Sequence, residues 1–186
     1  MNRVLFLCGL CLWLTGSRAL AEPFILSSGA FTNGGCLPVR YTGDGEGISP
    51  PLTWQGAPPS TKAYALIMDH YPGPGDVKWY WILYNIPPET KVLPADAHGI
   101  GRQGINSVNG QATYAPPHSR GPGPKIYHLT LYALSAPLPE TFPPTSLDRD
   151  ELLNHMRGLI LAQAKLQVIY DRSASLRANP TPPPPP

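Results

Sequence analysis

Cysteine is scarce in this chain, and most of it lies at one end. Of three cysteines, Cys8 and Cys11 fall in the first apolar stretch and only Cys36 stands in the body. No internal disulfide is expected, and the core must hold the fold together. Absent too is any apolar run of the roughly 20 residues that a membrane-spanning helix needs. The longest candidate, Val4 to Thr15, is shorter. With Arg3 before it and Ala19-Leu20-Ala21 after it, that run has the charged start, apolar middle and small-x-small end of a cleavable signal peptide over residues 1–21. Cleavage after Ala21 is expected, which predicts an exported protein, periplasmic or secreted, with no transmembrane anchor in the mature chain. A lipid-carrying cysteine has to stand at the cleavage point, and Cys36 lies too far downstream, so the mature protein is expected to be soluble.

An excess of charge is missing as well. Removing residues 1–21 takes away Arg3 and Arg18 and no acid, so the formal charge falls from +2 to zero. A neutral surface argues against nucleic acid, whose binding depends on a basic face displacing counterions, and against electrostatic docking on anionic membranes. The standard catalytic signatures are lacking: there is no Gly-x-Ser-x-Gly elbow, no His-Glu-x-x-His pair and no phosphate-cradling glycine loop. His70, His98, His118, His128 and His155 are scattered rather than set at metal-ligand spacing, so no metal and no cofactor is expected. Cys36, beside Gly34 and Gly35, is read as a packed thiol rather than a nucleophile.

What is present is a series of short apolar runs punctuated by Gly and Pro, the pattern of strands separated by turns. Lys62 to Asp69 and Trp79 to Ile86 are apolar nearly throughout, as in strands covered on both faces. Tyr127 to Leu134 alternates, and so does Ala162 to Tyr170. One helix is predicted, capped by Ser146, carrying Asp148, Asp150 and Glu151 at its positive end, apolar at Leu152, Leu153, Met156 and Leu159, and ended by Gly158. Many strands and a late helix predict a mainly β fold, an antiparallel β-sandwich with one or two short helices near the C-terminus. The domain covers 22–173. Residues 174–186, closing on five prolines, are placed outside it as a disordered proline-rich tail.

Three segments combine stiffening prolines with aromatic or ionisable side chains: Ile48 to Trp54, Asp69 to Trp81, and Tyr114 to Tyr127. Asp69 and His70 end one predicted strand, Tyr80 opens the next, and Lys125 and Tyr127 open a third. If those strand ends are neighbours, Asp69, His70, Tyr80, Tyr114, His118, Lys125 and Tyr127 form a polar mouth on an apolar body. The alternative is that the prolines merely shape long connections.

At these residues the chain resembles a known family. Tyr41-Thr42-Gly43-Asp44-Gly45 followed by Ile48-Ser49-Pro50-Pro51-Leu52-Thr53-Trp54 resembles the opening signature of the phosphatidylethanolamine-binding protein family, in its bacterial branch. Trp81 to Pro87 is similar to that family's Trp-x-Leu-Tyr-Asn-Ile-Pro strand, and Leu131-Tyr132-Ala133-Leu134 and Leu161 to Leu166 match two later blocks. The resemblance spans Phe24 to Arg172. It implies a β-sandwich with a small pocket at one end that accepts an anionic group such as phosphate or a phospholipid head. The family lines that pocket with an Asp-Pro-Asp-Ala-Pro loop, a His before the strand's Trp, a Gly-Pro-x-Pro-Pro loop and a His shortly before a Tyr. Here His70 and Pro72 fall where the two aspartates stand, Tyr80 replaces the His before Trp81, Ala115 to Ser119 takes the proline-rich loop, and Lys125 takes the place of the last His. The pocket's ligand-binding lining is therefore altered.

His70 and Lys125 are donors to phosphate or carboxylate, and Tyr80 donates one hydrogen bond as a His does. The expectation is a non-enzymatic exported binding protein for a small anionic ligand, whether phosphate, carboxylate or phospholipid head group. An inhibitor of an envelope enzyme such as a protease, acting through a protein target, is the alternative that the family suggests. A hydrolase at the same pocket lacks a nucleophile with an oriented base.

Overall fold

Two eleven-residue strands joined by a tight turn organise the molecule. The computed structural model describes residues 22–119, 121, 123–141 and 147–173. The expected signal peptide, the proline-rich tail and the Ser146 cap lie outside the described residues. In chain order the strands are β1 (Ile25–Ser27), β2 (Gly35–Cys36), β3 (Leu52–Gln55), β4 (Ala63–Gly73), β5 (Asp76–Ile86), β6 (Val92–Leu93), β7 (Arg102–Gln103), β8 (Lys125–Leu134) and β9 (Ile160–Tyr170). A 3-10 turn covers Val39–Tyr41, and one helix, α1, covers Arg149–His155.

The large sheet runs β2-β9-β8-β4-β5-β7, and the small one runs β1-β3-β6. Their facing surfaces enclose the main core, in which Leu26, Leu52 and Trp54 of the small sheet meet Tyr64, Leu66, Met68, Trp81, Leu129 and Val168 of the large one. On the outer face of the large sheet a second cluster packs Ala65, Ile67, Ile82 and Tyr84 against Leu147, Leu152 and Met156 around α1. Strand β4 sits between these clusters, which is why Ala63 to Asp69 is buried without interruption. Strand β9 has only one buried face, so Ala164, Leu166, Val168 and Tyr170 alternate with more exposed residues.

The fold is mainly β and layered as expected, with two differences. β2 joins β9 in parallel, so the large sheet is mixed, and the opposing layer is too short to make a strict antiparallel sandwich. Cys36, expected to be packed, is exposed, because two-residue β2 forms the sheet edge and puts only Leu37 into the core. The helix is shorter than the Ser146 cap and the Gly158 stop implied, covering Arg149–His155. Asp148 is its cap, accepting from Glu151 N at 2.9 Å while the Glu151 carboxylate accepts from Asp148 N at 3.2 Å.

Sequence also cut β4 and β5 short. Both continue past the apolar runs to a two-residue turn, Pro74-Gly75, with Gly75 at φ 82°. Segment Asp69 to Trp81 is thus a hairpin and not a loop. Its polar residues hid the strands because the hairpin extends beyond both apolar clusters into solvent.

Candidate functional site

Antiparallel pairing brings the end of β4 beside the starts of β5 and β8. His70 and Lys78 are direct cross-strand partners, so both side chains leave the same face of the sheet. Tyr80 reaches that face through an irregularity. Met68 pairs with Trp81 and Asp69 with Trp79, leaving Tyr80 as one extra residue on β5, a β-bulge. The bulge turns the Tyr80 ring toward Tyr127 at 5.0 Å, edge on, while its carbonyl accepts from Ala115 N at 2.7 Å. The ring of His70 also packs against Tyr127, with centroids 5.2 Å apart.

These side chains line a recess of about 800 Å³ together with Tyr71, Lys78, His118, Ser119 and Lys125. Pro116, Pro124, Val108 and Ile126 give it an apolar margin. Four basic residues, His70, Lys78, His118 and Lys125, line it, and among the described residues its lining includes no Asp or Glu. His70 Nδ1 lies 2.8 Å from the Ile126 carbonyl, so Nδ1 carries a proton and Nε2 is the nitrogen whose protonation changes the ring's charge. A Cβ added to Gly121 would come within 3.2 Å of Lys125 Nζ, which places this ammonium against the loop backbone.

The opening signature builds the wall behind His118. Thr42 Oγ1 donates to the Val39 carbonyl at 2.8 Å and accepts from Asp44 N at 3.2 Å. That turn aims the buried Asp44 carboxylate at Tyr170, whose hydroxyl donates to it, and at Arg172, whose Nε lies 2.9 Å away. His118 Nε2 stands 3.8 Å from the same carboxylate. Gly43 leaves room for this ring, since a Cβ there would fall 2.3 Å from His118 Nδ1. Ser119, a lining residue at φ 35°, has a buried hydroxyl with no hydrogen-bond partner among the described residues.

Burial shapes the tyrosines. Tyr127 is pushed far above the usual phenol range, first by burial and then by the neighbouring Tyr80, with which it hydrogen-bonds. Tyr80 is raised by burial as well. Both stay protonated donors at any physiological pH.

Five of the seven residues singled out in the sequence, His70, Tyr80, His118, Lys125 and Tyr127, therefore meet at one recess. Two do not. Asp69 points to the opposite face, buried near α1, where Arg149 Nε and the Tyr71 hydroxyl donate to its Oδ2 at 3.2 and 3.1 Å. Strand alternation forces this: with His70 on the recess face, its neighbour must face away. Tyr114 lines a separate recess of about 230 Å³ with Ile48, Ser49, Asp96 and Gln103. Its hydroxyl donates to the Tyr41 carbonyl at 2.7 Å and its ring stacks edge-on with Trp81. Lys78, Tyr71 and Ser119 were missed. The pairing of Lys78 with His70 could have found it, had the hairpin turn at Pro74-Gly75 been read.

With the site in view, the model for "Phosphatidylethanolamine-binding protein" matches residues 27–171. The chain belongs to the phosphatidylethanolamine-binding protein family. This PEBP-family chain is 38% identical over 151 residues to a UPF0098 protein of Methanothermobacter thermautotrophicus, covering 79% of this chain and 98% of that protein. With a UPF0098 protein of Aquifex aeolicus it shares 36% over 160 residues, 83% of this chain and 90% of the relative. Among solved structures, the PEBP homologue CT736 of Chlamydia trachomatis superposes with a TM-score of 0.73 at 30% identity, over 80% of this chain and 97% of that one. E. coli YbcL, titled a new member of the mammalian PEBP family, gives 0.68 at 26%, over 80% and 98%.

Proposed function

We propose that this PEBP-family protein binds a small anionic ligand, a phosphate, a carboxylate or the head group of a phospholipid, in the recess between β4, β5 and β8, without catalysing a reaction. One observation carries the proposal: His70, Lys78, His118 and Lys125 converge on a cavity whose lining, among the described residues, holds no carboxylate. Such a lining favours negative charge and supplies charge-assisted donors for it. With Asp69 turned away, a cationic ammonium finds no counter-charge, so a free phosphate is expected to bind more tightly than a zwitterionic phosphoethanolamine head. The exposed side chains of Tyr71, Val108 and Ile126 at the margin would flank the apolar part of a lipid ligand. The signal-like N-terminus supports action outside the cytoplasm; among the described residues no helix is long and apolar enough to cross a membrane.

Calorimetry with phosphate, acetate, phosphoethanolamine and a short-chain phospholipid tests this and separates the sources of the anion. Lys125→Ala should weaken phosphate about tenfold or more, as expected for loss of one charge-assisted contact worth ~1.5–3 kcal/mol. Lys62→Ala, outside the recess, should bind as the parent does. Absence of heat with every anion, or indifference to Lys125→Ala, refutes the proposal.

A further inference from the structure

The hairpin that carries His70 and Lys78 is held irregularly by its own ladder. Pairing between β4 and β5 shifts register between Met68 and Asp69 and again between His70 and Gly73. Two irregularities bracket the residues that matter, so backbone pairing alone leaves the hairpin's attitude to the recess loosely specified. A second set of contacts acts on the outer face. Asp69 is 6% exposed, and its Oδ2 accepts from Arg149 Nε and from the Tyr71 hydroxyl. Arg149 Nη2 donates in turn to Tyr71 Oη at 3.3 Å, while Nη1 is held at 2.8 Å by Asp150 Oδ1. Arg149 is the first residue of α1, whose Leu152 and Met156 are locked in the outer core.

We infer that Arg149 is a positioning residue for the recess: from α1 it braces Asp69 and Tyr71, and through them sets where His70 and the Tyr71 rim stand. Strand alternation supplies the coupling. Fixing Asp69 on the outer face fixes the next residue, His70, on the inner one. The same guanidinium fixes Tyr71, a residue of the recess lining, whose ring meets His128 edge-on at 5.6 Å. Without this guanidinium, its ion-pair partner among the described residues, the buried Asp69 carboxylate would lack a counter-charge from them, so the hairpin would shift to reach water.

The inference rests on the anion-binding reading for its affinity readout and on nothing else for its structural one. Phosphate titrations and the ring signals of His70 in the ligand-free protein, followed by NMR, would be recorded for the parent, Arg149→Ala, Arg149→Lys and Asp69→Asn. Asn85→Ala serves as a control that lowers stability elsewhere, since Asn85, near the end of β5 away from Lys78, ties that strand to Leu138. Arg149→Ala should weaken phosphate roughly five- to tenfold, within the span of coupling between residues in one network, and move the His70 signals. Arg149→Lys should recover part of this, as a point charge that cannot bridge both partners. Asn85→Ala should lower the melting temperature yet leave affinity and signals unchanged. Should Arg149→Ala fail to fold, Asp69→Asn, which keeps the shape, decides by the same two readouts. Parent-like affinity and His70 signals in the variants, or an equal loss in Asn85→Ala, would overturn the brace. If the parent binds none of the anions, the functional proposal falls and the His70 signals alone judge the brace.

Discussion

Single residues in the opening signature carry more than their local turn. Gly43 leaves room for His118, Asp44 collects Tyr170 and Arg172, and Gly45 lies so near Val39 that a Cβ would stand 2.2 Å from its carbonyl oxygen. The two glycines should respond differently. At Gly43 the obstacle is a ring about two-fifths exposed, which can swing away, so Gly43→Ala should displace His118 and cost little stability. At Gly45 the obstacle is backbone, so Gly45→Ala should cost about 1–3 kcal/mol in chemical denaturation, the usual range for overpacking. Equal costs at the two positions would contradict the assignment. Each glycine was visible in the sequence as part of a motif, but the atom it avoids was not, because Val39 and His118 approach only in the folded chain.

Elements were legible where burial is complete and hidden where it is not. The apolar stretch of β4 and the alternation of β8 and β9 follow from how many faces each strand buries, and those patterns are visible in the side chains themselves. The hairpin tip buries little, so its polar residues read as loop. Helix α1 shows the same limit at its start. Its apolar spacing was plain, yet the cap is Asp148 with Glu151 closing the reciprocal pair. Asp148→Ala should lower stability by about 1 kcal/mol, measured by urea unfolding, and Glu151→Ala by less. If Asp148→Ala is neutral, the cap contributes nothing and the helix start lies elsewhere.

For the whole molecule, the buried phenols tie the fold to pH. Tyr114 and Tyr127 are raised far above the ordinary phenol range, chiefly by burial, and Tyr71, Tyr80, Tyr132 and Tyr170 are raised too, again chiefly by burial. In the unfolded chain these groups ionise near pH 10, so the unfolded state sheds protons first and gains stability relative to the folded one. This contribution is therefore complete below about pH 10 and lost as pH rises from there toward the folded values. Melting temperatures followed from pH 8 to 11.5 should fall above about pH 10, with phenolate absorbance in the native protein lagging that in urea. Coincident titration of native and unfolded tyrosines would show that burial does not govern them.

By itself the sequence determined that this is a mainly β chain of the PEBP family, because periodicity and short motifs record how each segment is buried and turned. It also marked the residue types of a basic recess. Only the tertiary structure decided which of them meet, since that depends on strand pairing between distant segments. Antiparallel pairing set Lys78 beside His70, a one-residue bulge turned Tyr80 inward, and alternation sent Asp69 to the far face to meet Arg149. A shift of one residue in register reverses the face on which a side chain stands, and that register is a property of the paired strands rather than of either strand alone.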